Sequence, residues 1–264
     1  MAGEIVGIDS RNIYHEGKQE IKDLLVKDEI KKTFKTHPAY GHRRLAVELK
    51  KNKKKIIRIM RKYGLKPPRL WYQKKFITEA NNNYKNEFNN LIKDIENPGI
   101  NYVWSSDLTY LKFNGVFFYV SAIKDVGSHE VVGINIGNHH NSDLVLQTIK
   151  QAVLKQKTYP KIFHSDRGKE YLNESCILYF KENDVKISVS DPGSPWQNGY
   201  IESFWSRFKS ESGDLNRFEN LGELAEYIYQ YVDYYNNDRI VTKLKTSPIK
   251  YKEDLIQKAR EFVH

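Results

Sequence analysis

The sequence predicts an α/β fold, a mixed sheet with flanking helices, preceded by a small, basic, all-α unit. Three observations carry this prediction. Residues 1–75 hold 21 Lys/Arg against 8 Asp/Glu, whereas residues 76–264 hold 22 against 25, so all of the excess positive charge lies in the first quarter. From Ile100 onward, runs rich in β-branched and aromatic residues open as a three-strand meander and then alternate with amphipathic helical patterns. The 264 residues are 39% hydrophobic and 13% aromatic, enough to bury a sizeable core and too apolar for a disordered chain.

The first element is a helix over about Lys18 to Lys35. Pro38 and Gly41 then punctuate the entry to "GHRRLAVELKKN", a short basic helix carrying Leu45, Val47 and Leu49. A third helix, "KKKIIRIMRKYGL" at 53–65, spaces Ile56, Ile59 and Met60 at helical intervals and stops at Gly64. Arg58, Arg61 and Lys62 lie towards its other side. Two short helices with a tight connection, the second rich in Arg and Lys, fit a helix-turn-helix over 17–66. Its candidate DNA contacts are Arg43, Arg44, Lys53, Lys54, Arg58 and Arg61. A plain helical bundle with a solvated basic surface fits the same pattern.

Pro67 and Pro68 end that unit, and 67–99, with "NNNYKNEFNN" and Asn97-Pro98-Gly99, read as a linker with room for one short helix. Strands follow at 101–113, 115–125 and 128–137, the first two joined through Asn114-Gly115, a strong hairpin signal. A helix over 141–155, a strand at Lys161–His164, a helix at Glu170–Asn183 and a strand at Val185–Val189 complete the sheet. A further helix starts near Gly199 after a Gly/Pro loop, burying Ile201, Phe204, Trp205 and Phe208. The last predicted helix, 221–235, carries an apolar stripe of Leu221, Leu224, Ala225, Ile228, Val232 and Tyr235. The core is thus placed at 100–212, with a helical extension over 213–264.

Nothing approaches the ~20 consecutive apolar residues of a membrane span, and Met1–Ser10 has no secretory pattern. The single cysteine, Cys176, excludes an internal disulfide and fits a reducing compartment. A reducing cytoplasm is the expected location.

Three carboxylates stand out. Asp107 sits inside the first apolar strand, where Asp is disfavoured and costly if buried without compensation. Strand alternation puts it with Val103, Ser105 and Thr109, which leaves an exposed solvent-face Asp open. Asp166 follows the fourth strand at its C-terminal end, where α/β sheets bind ligands, although a turn or helix-cap Asp before Gly168 reads equally simply. Glu202 opens a helix, where the dipole alone favours an acid. Together the three suggest a shared task. Two hard cations need oxygen ligands, and held ~3.5–4 Å apart they stabilise the attacking and leaving oxygens of a phosphodiester exchange. A central strand, a neighbouring strand end and a helix facing the sheet can bring the three acids together.

At these residues the sequence resembles the second-frame (OrfB-type) transposases of the IS-three family of insertion sequences, relatives of the retroviral integrases with a ribonuclease-H-like core. The matching motifs are "VWSSDLTYL" at 103–111, "HSDRGKEY" at 164–171 and "SPWQNGYIESF" at 194–204. Asp166 and Glu202 are separated by 35 residues, the spacing of that family. "YGHRRLAVEL" at 40–49 resembles its helix-turn-helix and "YNNDRIVTKLKTSP" at 235–248 its C-terminal signature, so the resemblance spans about Lys18 to Tyr251. It implies a catalytic, metal-ligating triad of Asp107, Asp166 and Glu202, holding two Mg²⁺ or Mn²⁺ ions. It further implies cleavage of a DNA strand to a 3′-hydroxyl and transfer of that hydroxyl to another phosphodiester. The implied partners are DNA (element ends and target), further copies of the chain assembled on DNA, and an upstream-frame, OrfA-type protein. Asn198 and Lys209 are candidate active-site or DNA contacts, and His164 is given a supporting role at most. The tyrosines, Tyr200 included, are assigned to structure or to stacking on DNA rather than to covalent attack. Two rival functions are a nuclease that cleaves without joining and a non-catalytic DNA-binding repressor or inactive remnant.

Overall fold

A computed structural model describes residues 10–67 and 87–261, with side chains from Gln19 onward. The chain divides into two compact units, one within residues 1–69 and one within 70–264. The start of the chain and most of the expected linker, 68–86, lie outside the described residues.

The first unit is helical, as its spacing predicts, although its first helix begins before the expected Lys18: α1 (Ser10–Thr36), α2 (His42–Glu48) and α3 (Lys53–Lys62). Its core is small, made by Val26 and Ile30 of α1, Tyr40, Leu45 of α2, and Ile56 and Ile59 of α3. Asn52 caps α3 by accepting the Lys54 N–H at 2.8 Å, and Gly64, at φ +62°, ends it in the left-handed conformation. So small an apolar core is supplemented by polar ties. The covered carboxylate of Asp23 receives two hydrogen bonds from the Arg58 guanidinium, at 2.5 and 2.6 Å.

The second unit is built on a five-stranded mixed sheet in the order β3-β2-β1-β4-β5. Its strands are β1 (Val103–Phe113), β2 (Val116–Asp125), β3 (Val131–Gly137), β4 (Ile162–Ser165) and β5 (Lys186–Val189). The first three pair antiparallel, while β4 and β5 join β1 in parallel. Asn114 and Gly115 close the β1–β2 hairpin as a two-residue turn, with both φ values positive (+46° and +85°), the primed-turn geometry that matches strand twist. β3 starts later than the sequence suggests. Asp125 accepts both the N–H and the hydroxyl of Ser128, at 2.9 and 2.5 Å, and this turn absorbs residues 126–130.

Helix α4 (Ser142–Gln156) covers one face of the sheet together with α5 (Glu174–Glu182). Here Trp104, Ile123, Val132 and Phe163 meet Val145, Ile149, Ala152 and Phe180. α4 approaches β3 so closely that a Cβ at Gly133 would lie 2.9 Å from the Thr148 carbonyl oxygen, which explains the glycine inside a strand. The sequence suggests that α5 begins at Glu170, but it begins at Glu174, because Asn173 caps it by accepting the Cys176 N–H at 3.0 Å. The opposite face packs under α6 (Gly199–Glu211) and α7 (Leu221–Asn237), where Leu111, Val120, Ala122 and Ile134 meet Phe204, Phe208, Ile228 and Tyr235. Leu221, expected in the α7 stripe, is exposed, and Tyr231 is buried in that stripe instead. α7 starts at Leu221, with Asn220 as its cap, and this first turn stands clear of the core. A final helix, α8 (Pro248–Glu261), gives definite form to the expected extension.

The stretch just before the sheet is tied to it. The Leu91 N–H donates to Ser188 Oγ at 2.9 Å, and the Val189 N–H donates to the Asn89 carbonyl at 3.2 Å. Residues at the end of the expected linker therefore run beside β5.

Candidate active site

Alternation along β1 decides where Asp107 looks. Trp104 and Leu108 pack into the cluster under α4 and α5, whereas Leu111 and Phe113 pack into that under α6 and α7. Asp107, an even number of residues from Leu111, therefore faces α6. It is partly covered there. Burial pushes its carboxyl well above the usual range, and the negative charges of Asp166 and Glu202 push it the same way. The nearby Lys209 ammonium opposes the shift. An exposed solvent-face aspartate is not what the fold presents.

Asp166 reaches the same place by strand register. β4 runs parallel to β1 with Val103 beside Ile162, Trp104 beside Phe163 and Ser105 beside His164. Continued two residues past its last pair, that register would bring Asp166, one residue beyond the end of β4, level with Asp107. Its Oδ1 accepts the Gly168 N–H at 2.9 Å. Burial, then the negative charge of Glu170, raises its pKa from the ordinary 3.8 to about 6, with Glu202 a smaller contributor. The turn-forming role and the nearness to other acids thus hold together.

Glu202 lies in the first turn of α6, beside the buried Ile201, Phe204, Trp205 and Phe208 that fix the helix to the sheet. Two polar stitches set the helix along β1. Asn198, buried just ahead of α6, pairs with the Ser105 hydroxyl at 2.6 Å and donates to the Ser106 carbonyl at 2.9 Å. Lys209 donates to Thr109 Oγ1 at 2.6 Å, its ammonium 5.6 Å from the Tyr110 ring centre. Glu202 sits between these stitches, as Asp107 sits between Ser105 and Thr109. The charges of Asp166 and Glu202 raise the proton affinity of Asp107, and that of Glu202 raises the proton affinity of Asp166. Among the described residues, however, no three His, Cys, Asp or Glu side chains are gathered closely enough, as placed, to grip one ion.

A fourth carboxylate, Glu170, belongs to this neighbourhood and was missed in the sequence, although it lies within "HSDRGKEY". It is buried against Gly168, where a Cβ would come within 2.4 Å of its Oε1. His140, from the loop before α4, stands 3.3 Å away. The Glu170 hydrogen bond, and more weakly the Asp166 charge, raise the His140 pKa. The only available signal was a second acid four residues after Asp166.

His164 is fully buried, with its two ring nitrogens 2.9 Å from Ser188 Oγ and 3.2 Å from Ser190 Oγ. Burial lowers its pKa to about 4, so it is neutral at pH 7 and knits β4 to β5. Tyr200 packs against the small cluster of Val103, Val126 and Ile162. In the first unit, Arg43, Lys53, Lys54 and Arg61 are exposed. Arg58 is committed to Asp23, and the Arg44 guanidinium lies 5.6 Å from the Tyr40 ring centre. The C-terminal signature contributes buried framework through Asn236 and Arg239. Asn236 brackets Val131 by accepting its N–H and donating to its carbonyl, both at 2.9 Å. Arg239 forks onto Glu211 at 2.6 and 2.8 Å.

The mixed five-stranded sheet, with helices on both faces and acids at the end of the β1–β4 pair, defines a ribonuclease-H-like core of the integrase type. Residues 98–195 match the integrase core domain family, and 183–247 match a second integrase core domain family. The fold is similar to a chain of the simian T-cell lymphotropic virus intasome complexed with PP2A regulatory subunit B56 gamma, with a TM-score of 0.50 at 12% identity. That match covers 84% of this chain and 73% of the other. A transposase-like protein of Haemophilus influenzae is 32% identical over 215 residues, covering 79% of this chain and 96% of its own length. A 31 kDa protein of insertion element IS600 from Shigella sonnei is 29% identical, covering 97% and 99%. The transposase of insertion sequence IS904 from Lactococcus lactis is 28% identical, covering 84% and 91%. The chain belongs to the insertion-sequence transposases with an integrase core. Among the described residues, no helix is long and apolar enough to cross a membrane.

Proposed function

We propose that this chain cuts a DNA strand with water and joins the resulting 3′-hydroxyl to another phosphodiester, with Asp107, Asp166 and Glu202 as the metal-holding catalytic acids. The single observation that carries this reading is that Asp107 feels the charges of both Asp166 and Glu202, while the parallel register of β1 and β4, continued past its last pair, leads Asp166 towards it. Negative charges crowded into a half-buried place, with raised proton affinities, are a donor set that suits hard divalent cations. Bound Mg²⁺ or Mn²⁺, two ions per site, would supply activation of the attacking oxygen and stabilisation of the leaving one.

The chain's own residues have distinct tasks. The three carboxylates would hold the cations. Asn198 and Lys209 fix the line of α6 over β1, so that Glu202 is carried to the aspartates rather than away from them. The exposed Arg43, Lys53, Lys54 and Arg61 of the helical unit supply phosphate contacts. The working form is a homo-oligomer on DNA, with an OrfA-type partner adding recognition of the element ends.

The test is incubation of the protein with DNA carrying its element's ends and Mg²⁺. Nicked strands, followed by joined products, are expected from the native protein and absent with Asp166→Asn. Cleavage without joining reassigns the chain as a nuclease. DNA binding without either product reassigns it as a non-catalytic repressor or remnant.

A further inference from the structure

We infer that Trp196 is a stacking plate for an unpaired nucleobase at the edge of the carboxylate site, an inference that rests on the DNA-processing function proposed above. Among the described tryptophans, Trp104 and Trp205 are buried, whereas Trp196 is 72% exposed. Leaving so large an apolar ring in water is unfavourable, and a flexible loop could fold it away. This loop is not free to do so.

Trp196 sits in a 3-10 turn, Pro195–Asn198, that is locked on both sides. Pro195 restricts the backbone before it. The Gln197 carboxamide accepts the Asp191 N–H at 2.6 Å and the Asn90 side-chain amide at 2.8 Å, and donates to Asp191 Oδ2 at 2.8 Å. Asn198 is held to Ser105 and Ser106, the residues directly before Asp107. The Trp196 carbonyl itself accepts the Gly199 N–H that begins α6. The ring is thus presented on a fixed backbone, two residues from the stitch beside Asp107 and six before Glu202.

Its chemistry selects the occupant. Apart from Pro192, Gly193 and Pro195, the surrounding loop residues, Asp191, Ser194, Gln197 and Asn198, are polar, unlike the apolar packing around an aromatic anchor in a protein–protein contact. A lone aromatic plate in a polar frame suits a base, because every base has a π-face and its sugar-phosphate remains in water. Base-paired DNA offers no free face except at its end. The base taken is therefore one unpaired beside the phosphodiester being cut or joined.

The test uses the full-length protein and two duplexes of the same sequence, one blunt and one with an unpaired two-nucleotide 3′ overhang carrying 2-aminopurine. Stacking on Trp196 is expected to quench the 2-aminopurine emission on binding. Trp196→Ala should abolish that quench and weaken binding of the overhang duplex roughly 5- to 150-fold, the range for loss of one stacked base, while binding of the blunt duplex changes little. Trp196→Phe should restore both. An unchanged quench in Trp196→Ala, or equal loss on both duplexes, overturns the inference. Failure of the native protein to cut or join element-end DNA, with the quench intact, would instead overturn the proposed function and leave the stacking assignment standing.

Discussion

Replacing Asp166 by Asn should make the metal-free protein more stable at neutral pH while abolishing its chemistry. Asp166 is pushed from the ordinary 3.8 to about 6 by burial and by the charge of Glu170. The folded protein therefore binds this proton more tightly than the unfolded chain does. Stability from this group is full below about pH 3.8, falls as pH rises towards about 6, and stays reduced above it. At about 1.36 kcal/mol per pKa unit, the loss at pH 7.5 is at most about 3 kcal/mol. Asn removes the charge and keeps an oxygen to accept the Gly168 N–H. For a chain of this size that corresponds to a rise of roughly 6–12 °C in the melting temperature of the sheet-containing unit. The assay is thermal unfolding in EDTA from pH 4 to 8, native against Asp166→Asn. The gap should be widest above pH 6 and close towards pH 4. Mg²⁺ should then narrow it from the other side, by stabilising the native protein more than the variant. A variant no more stable than the native protein at pH 7.5, or a gap that grows on acidification, would refute the reasoning.

Asp107→Asn and Glu202→Gln should each eliminate strand cleavage and joining while leaving the circular dichroism spectrum unchanged; normal strand transfer by either removes that residue from the site. Asn198→Ala leaves the buried Ser106 carbonyl without its amide donor and should cost about 1–3 kcal/mol in denaturant unfolding, with a value near zero disproving the stitch. Arg239→Ala strands the buried Glu211 carboxylate and should cost about 3–5 kcal/mol; a neutral result would deny the C-terminal signature its structural role. Changing Arg43, Lys53, Lys54 and Arg61 together to Gln should weaken DNA binding and flatten its salt dependence, by roughly 0.9 in the log–log slope for each phosphate no longer neutralised. An unchanged slope would make these side chains a solvated surface only.

Much of this protein is legible in one dimension because its signals are local. The Asn114-Gly115 turn dictates a hairpin through backbone sterics at two residues, and the spacing of Ile201, Phe204, Trp205 and Phe208 dictates which side of α6 is buried. The acids stand out for the same reason: Asp107 interrupts an apolar strand, and Asp166 ends another. Their relation was not local. Only the parallel register of β1 and β4, continued past its last pair, leads Asp166 towards Asp107, and only the packing of Leu111 on one face and Trp104 on the other shows which way Asp107 points. Charge counting marked Arg58 as a candidate DNA contact but could not see its ion pair with Asp23, 35 residues earlier, because it sees charges and not their partners. Glu170 and His140 were invisible for a similar reason, since a loop before α4 and a turn after β4 meet through the sheet alone. Sequence determined which chemical groups and which elements exist, because propensity and periodicity act over a few residues. Tertiary structure decided which groups share a site, because burial and Coulomb interactions depend on distance in space and not along the chain.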